Sequence, residues 1–328
     1  MRLLVTGATG LLGNNVARLA AAAGCEVTTL SRSSANHPSL KGLGARHVQA
    51  DIGQMDLEEV LAPHEFDGVI HSAALIHIGW RRQAESLQVN RDGTQAIVNW
   101  ARKRKIRGVY VSTVNTLAIG EADKPKTERC TGDGQVPCAY VLSKRAAQLV
   151  VDQAAEQGDD WYSVFPGFML GPYDWQLSSG RMVLALQRFQ PWAPSGGCSV
   201  CDPRDVAAAM LRLAKTGATE RRFILAGHNL TYFDLWTRIA TQMGSRPPAI
   251  AMRRPARAIS PILADGINLF RRSESDFNSA AIRMGQQFHY YDSHLAREHL
   301  GYITRPTEDS IGDAIGWLRE AGHLPPTH

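Results

Sequence analysis

Residues 6–13 read Thr6-Gly7-Ala8-Thr9-Gly10-Leu11-Leu12-Gly13. A short apolar run, Leu3-Leu4-Val5, precedes them. Val16-Ala17-Arg18-Leu19-Ala20-Ala21-Ala22-Ala23, helical in composition, follows. A strand, a glycine turn and a helix in that order form a dinucleotide site. The glycines let backbone approach a pyrophosphate, and the helix N-terminus offers free N–H groups and a positive dipole end. Gly7, Gly10 and Gly13 are each three apart, which departs from the commoner G-x-G-x-x-G. Alone, such a triplet could be a tight turn and no more; its place directly after an apolar strand favours the nucleotide.

Outward from this turn, apolar strands alternate with helical stretches. Strands are expected at Arg2–Val5, Glu26–Leu30, Arg46–Gln49, Gly68–His71, Gly108–Val111 and Trp161–Phe165. Helices are expected over about 11–23, 55–62, 83–105 and 139–157. The alternation predicts an α/β fold of the Rossmann type, a doubly wound parallel sheet covered on both faces. Residues 1–170 would form this dinucleotide-binding domain, with part of 200–230 returning to it. Residues 171–328, richer in short helices and loops, would form a smaller mixed α/β substrate lobe. Asp202-Pro203-Arg204-Asp205-Val206 reads as a helix start, and Thr231–Met243 as an amphipathic helix capped by Thr231 or Asn229. Ile259–Phe270 is an apolar helical stretch flanked by Arg253, Arg254, Arg257, Arg271 and Arg272. It is expected to pack on the second lobe, in preference to covering a substrate or touching a membrane surface.

Composition bounds the class. With 328 residues, 44% hydrophobic and 20% charged, the chain suits a soluble two-lobed enzyme. The formal charge of +5 is scattered, without the basic, aromatic-interleaved face that nucleic acid requires. Five cysteines are odd in number and few for a disulfide scaffold. Cys198 and Cys201 have C-x-x-C spacing, but no second pair accompanies them, so free thiols are expected and no metal. No window is apolar enough to span a membrane. With no signal peptide before the first strand, a cytoplasmic location is expected.

The candidate site residues fall at the carboxyl ends of the strands, where such sheets bind ligands. Gly7, Thr9, Gly10, Leu11, Leu12 and Gly13 would take the pyrophosphate. After the second strand comes Arg32 in place of the acid that holds the ribose of NAD; it would face the 2′-phosphate of NADP, so NADP is favoured and NAD kept open. Asp51, followed by Ile52, would accept from the adenine amine or close a turn. In His71-Ser72-Ala73-Ala74, the small Ser72, Ala73 and Ala74 let backbone pass the cofactor, while His71 reads as structural. The fifth strand ends in Val111-Ser112-Thr113, whose hydroxyls would bond a substrate oxygen or a local partner. The loop 115–138 is a candidate for substrate contact. Tyr140 and Lys144 lie four apart on one helical face, and the ammonium is expected to lower the phenol's pKa. Pro166, Gly167 and Phe168 end the sixth strand where a nicotinamide would pack.

These pieces together resemble the extended short-chain dehydrogenase/reductases, the NAD-dependent epimerase/dehydratase family. The matching stretches are TGATGLLG at 6–13, DI at 51–52, HSAAL at 71–75, VNRDGT at 89–94, YVST at 110–113, YVLSK at 140–144 and FPGFMLGP at 165–172. GHNLTYFDLWTRIATQMG at 227–244 is most similar to the dihydroflavonol-4-reductase-like branch. The resemblance implies Tyr140 as proton donor or acceptor, Lys144 on the nicotinamide ribose, Thr113 in the place of a catalytic serine and Asn90 as the helix asparagine that organises the site. It also implies a homodimer through the helices near 83–105 and 139–157. Val114-Asn115 stands where sugar dehydratases of the family carry Asp-Glu, and Cys198-Ser199-Val200 where epimerases place a diphosphate-binding arginine, for which Arg181 or Arg188 could substitute. The expectation is therefore an NADP-dependent reductase of a carbonyl on a small to medium apolar molecule. The rivals are a nucleotide-sugar epimerase with bound NAD and a non-catalytic NADP(H)-binding protein.

Overall fold

The computed structural model describes residues 1–128, 130, 134–252, 260–261, 265, 274–275 and 278–326. In chain order the strands are β1 (Arg2–Thr6), β2 (Glu26–Ser31), β3 (Arg46–Gln49), β4 (Gly68–His71), β5 (Arg107–Val111), β6 (Trp161–Pro166), β7 (Phe168–Met169), β8 (Trp192–Ala193), β9 (Gly197–Cys201), β10 (Arg222–Leu225), β11 (His228–Thr231), β12 (Ile250–Ala251) and β13 (Phe288–His289). The helices are α1 (Leu11–Ala22), α2 (Leu57–Leu61), α3 (Gln83–Leu87), α4 (Gly93–Arg104), α5 (Ala139–Glu156), α6 (Gly180–Ala185), α7 (Pro203–Thr216), α8 (Tyr232–Met243), α9 (Ser279–Gly285), α10 (His294–Leu300) and α11 (Thr307–Glu320).

Leu3, Leu4 and Val5 are fully buried because β1 lies at the centre of a sheet covered on both faces. Seven strands run parallel in the order β10-β6-β5-β4-β1-β2-β3. The chain winds outward from β1 to β3, then crosses back to β4 on the other side of β1. That reversal opens a crevice beyond the carboxyl ends of β1 and β4. One face of the sheet packs on α1 and α7 through Val16, Ala20, Val206, Met210 and Leu213. The other packs on α2, α4 and α5 through Leu57, Leu61, Ile97, Trp100 and Val151. The expected doubly wound sheet is thus the observed one, and its first six strands begin and end within a residue of the expected bounds.

Three local features depart from expectation. Arg222–Leu225 forms a seventh strand, beyond the six expected, beside β6. The helix expected over 83–105 contains a π-helical turn, Gln88–Asp92, between α3 and α4. The helix expected from about 55 starts at Leu57, because Asp56 caps α2 by accepting from the Glu58 N–H at 2.9 Å. Most of the 259–270 stretch and its flanking arginines lie outside the described residues. Beyond the main sheet, β9 pairs with β7, β11 and β13 in a smaller mixed sheet. A third apolar cluster joins it to α6, α8 and α11 through Val183, Leu235, Ile239 and Ile315. The cap of α8 is Thr231, whose Oγ1 accepts from the Asp234 N–H at 3.0 Å. No described helix is long and apolar enough to cross a membrane.

Asp202 joins the two parts of the molecule. Only 2% exposed, it caps α7 by accepting from the Arg204 N–H at 2.8 Å and takes the Ser310 hydroxyl of α11 at 2.8 Å. Asp202→Ala should therefore cost about 2–3 kcal/mol, because a helix cap and a buried acceptor go together. Urea unfolding checks this; a loss below about 0.5 kcal/mol would place the carboxylate among ordinary surface groups.

Candidate active site

Gly7 ends β1 with φ of +76°, and a Cβ there would stand 2.7 Å from the Ala73 nitrogen. A Cβ on Gly13 would stand 2.3 Å from the Gly7 oxygen. No side chain fits at either place, so α1 starts hard against the strand ends. Gly10, by contrast, faces the cleft, where a Cβ would meet nothing nearer than 3.5 Å. It is the N-cap of α1, no side chain caps that helix, and its first turn carries no acid. The start of α1 therefore presents peptide N–H groups and a positive dipole end to the cleft without an internal anion competing for them. This is the chemistry a dinucleotide pyrophosphate needs, and the residues present fit it.

A hydroxyl–imidazole chain fixes the backbone facing that turn. Thr6 Oγ1 accepts from the N–H groups of Ser72 and Ala73 at 3.2 and 3.1 Å, and donates to His71 Nδ1 at 2.8 Å. His71 Nε2 then donates to Thr94 Oγ1 at 3.1 Å, which donates to the Asn90 carbonyl at 2.5 Å. Burial, with the Lys144 charge adding to it, drives the His71 pKa down to about 3, so the ring is neutral and structural.

The cleft above the sheet has a volume of about 640 Å³. Its wall contains Gly7, Thr9, Gly10, Leu11, Leu12, Gly13, Arg32, Asp51, Ile52, Ser72, Ala73, Ala74, Val111, Thr113, Tyr140, Lys144, Pro166 and Gly167. Two expected cofactor contacts are not in the wall, and no described residue of the loop 115–138, expected to meet substrate, lines it. Phe168 packs into the third apolar cluster and Met169 faces the cleft instead, since neighbours on a strand point to opposite sides. Asn90, 1% exposed in the π-helical turn, acts as a brace. It accepts from the Leu75 N–H at 2.7 Å and donates to the Leu75 carbonyl at 3.0 Å and to Ser143 Oγ at 2.8 Å. Asp51 Oδ1 accepts from the Gly53 N–H at 3.0 Å, so it closes a turn as well as lining the cleft. Arg32 is exposed at the cleft mouth. Ser112, Gln176, Ser178 and Arg181 also line the cleft. Ser112 carries a sequence signal as a strand-end hydroxyl and Arg181 as a possible diphosphate ligand; Gln176 and Ser178 carry none. Cys198 and Cys201 are free and buried in β9, away from the cleft wall.

Tyr140 and Lys144 meet Thr113 where α5 starts. The loop before α3 caps that helix with backbone: His77 and Gly79 carbonyls accept from the Tyr140 and Ala139 N–H groups at 3.2 and 2.9 Å. Lys144 Nζ donates to the Val111 carbonyl at 2.6 Å and lies 4.3 Å from the Tyr110 ring centroid. Burial pushes the Lys144 ammonium down to about 7. Burial likewise pushes the Tyr140 phenol up to about 12, against the pull of its hydrogen bond with Thr113. The expected lowering of the tyrosine is thus reversed: desolvation outweighs any help from the ammonium, whose own charge is weakened by the same burial.

Comparison with known proteins shows the family. The family model for the NAD dependent epimerase/dehydratase family matches residues 3–226. The sterol demethylase protein B of Methylococcus capsulatus is 28% identical, with 99% of this chain and 100% of that protein covered. A provisionally named dihydroflavonol 4-reductase of Synechocystis sp. is 28% identical, with 98% and 95% covered. Among solved structures, PA4631 of Pseudomonas aeruginosa, described as a nucleoside-diphosphate-sugar epimerase, superposes with a TM-score of 0.79 at 27% identity, covering 99% of both chains. The apolar strand, the glycine turn packed against it and the long match together place this enzyme in the NAD dependent epimerase/dehydratase family.

Proposed function

We propose that the protein is an NADP-dependent reductase of a ketone or aldehyde on a small to medium, apolar molecule, able to run in reverse on the alcohol. The observation that carries this is the convergence of Thr113, Tyr140 and Lys144 in the wall of the cleft whose other end is the glycine turn. When bound, the nicotinamide supplies or accepts the hydride. Tyr140, held protonated by burial, gives its proton to the substrate oxygen, which the Thr113 hydroxyl also bonds. In its charged form Lys144 gives one N–H to the Val111 carbonyl and keeps two for the nicotinamide ribose and the phenol. Arg32 supports NADP: a carboxylate in its place would repel a 2′-phosphate that a guanidinium binds. Relatives named for a sterol and a dihydroflavonol support an apolar substrate of that size. Leu149, 61% exposed on α5, supports a homodimer with this helix at its interface.

A nucleotide-sugar epimerase is the second reading, favoured by the described activity of PA4631 and by Arg181 in the cleft. Purified protein that carries NAD and converts a nucleotide sugar without added cofactor would select it.

Three outcomes follow from the reductase. Tyr140→Phe should lower turnover of a carbonyl substrate by about 10²-fold or more while NADPH affinity stays within about twofold; unchanged turnover removes Tyr140 from the mechanism. Arg32→Ala should shift the ratio of NADPH to NADH affinity by about tenfold toward NADH, read by nicotinamide fluorescence titration. Because Lys144 is charged below about 7 and neutral above it, kcat/KM for NADPH, which follows ionisations of the free enzyme, should fall as pH rises past that point. A profile flat from pH ~6 to ~9 would show that the lysine charge is not used.

A further inference from the structure

Lys144 is 3% exposed, and among the described residues no carboxylate holds its charge. The nearest acid along α5, Asp152, stands about two turns on and is taken by the Gln148 amide at 2.8 Å and the Arg222 guanidinium at 2.9 Å. Tyr140, one turn back, is a neutral phenol, and His71 on β4 is a neutral imidazole. A buried ammonium without a counter-ion sheds its proton unless other groups replace the water around it. The Val111 carbonyl is one such group, and the face of Tyr110 is another. Successive residues of β5 point to opposite sides of the sheet, so Val109 and Val111 pack toward α1 and α7 while Tyr110 packs toward α5. Its ring, 1% exposed, is flanked by His71 on β4 and Ser163 on β6, the residues in register with it. The His71 imidazole stacks with it at a centroid separation of 5.9 Å and 29° between planes, and the Gln148 amide holds Ser163 Oγ at 2.7 Å. The ring is thus fixed beneath Lys144, whose Nζ lies 4.3 Å from its centroid.

We propose that Tyr110 is a positioning residue of the reaction: the face of its ring stands in for a carboxylate under Lys144, keeping the ammonium charged and in place on the helix face it shares with Tyr140. An aromatic face is the negative side of the ring quadrupole and attracts a cation within about 6 Å of its centroid, most strongly where water is excluded. A carboxylate in the same place would close an ion pair and draw the lysine N–H groups to itself. A ring face accepts no such fork, so the N–H groups that Val111 does not take stay directed at the cleft. The effect on the reaction rests on the reductase reading above; the hold of the ring on the ammonium does not.

The test replaces Tyr110 with phenylalanine and with its mono-, di- and trifluorinated derivatives, which nearly keep the ring's size while draining negative charge from its face. Lys144 is titrated by NMR in protein with isotope-labelled lysine side chains, and Lys144→Met assigns the signal. Tyr110→Phe should titrate within about 0.3 of a pH unit of wild type, and the trifluorinated ring about one unit lower, with the others in order between. Tyr110→Leu, which removes the face altogether, should fall at least as far. NADPH affinity, followed by nicotinamide fluorescence, should weaken from a correspondingly lower pH. At pH ~5, where Lys144 is charged in every ring variant, affinities should agree within about twofold. A merely structural role would weaken binding at every pH and leave the lysine titration level along the fluorine series. A level titration overturns the proposal. So does a shift in Tyr110→Phe as large as that of the trifluorinated ring, which would assign the effect to the hydroxyl. A lysine signal that moves while NADPH affinity keeps its wild-type pH dependence shows that the reaction does not use the charge, and Tyr110 then positions nothing for it. Wild type that binds neither NADPH nor NADH sinks the dinucleotide reading, and the lysine titration alone then decides the hold of the ring.

Discussion

At Gly7 and Gly13 three backbone segments approach more closely than any side chain permits: the end of β1, the start of α1 and the stretch after β4. Everything at the cleft follows from that contact. It brings the uncapped N-terminus of α1 to the carboxyl ends of the strands, and leaves Thr6 near enough to take two N–H groups from the neighbouring strand's exit. The apolar character of β1 is the other half of the constraint. A strand flanked on both sides and covered on both faces has no solvent edge on which a polar side chain could rest.

Burial decides the electrostatics of the opposite end of the cleft. Helical spacing alone puts Tyr140 and Lys144 on one face and invites the inference that the cation lowers the phenol. In the folded protein both groups are desolvated, and desolvation moves each toward its neutral form, the lysine down to about 7 and the tyrosine up to about 12. The consequence differs by direction. A phenol held neutral is ready to give a proton, as carbonyl reduction needs, whereas alcohol oxidation would require the ligand or the charged lysine to bring it down.

The sheet was legible in the sequence because its strands are short, apolar on both faces and separated by helices of ordinary length. Arg222–Leu225 is as short as β3 at the other edge, but it follows the excursion through β7, β8 and β9 and so falls outside the unbroken strand–helix alternation that marks the first six strands. The glycine turn, Tyr140 and Lys144 could be read from residue type and spacing. The choice between Phe168 and Met169 could not, since it depends on how the chain leaves Pro166-Gly167 and which of the two then faces β9's apolar cluster. The same holds for Asn90. A π-helical turn, invisible in composition, directs its amide to Leu75 and Ser143 and away from the cleft wall.

The elements after residue 171 are attached to the sheet through the helices that also shape the cleft. Asn15 and Arg18 on α1 hold Pro172 and Tyr173, while Asp202 at the head of α7 holds Ser310 on α11. Helices α1 and α7 pack against each other on one face of the sheet. A shift of the C-terminal elements therefore bears on α1 directly, and α1 begins at the glycine turn with no spare room for movement at Gly13. Close-packed contacts of this kind respond by moving together rather than by stretching. The wall that contains Gln176 and the wall formed by the turn are thus tied to the same helix, through Gln176 on the Thr9 carbonyl and Asn15 on the Pro172 carbonyl, so the packing of α1 on α7 bears on both.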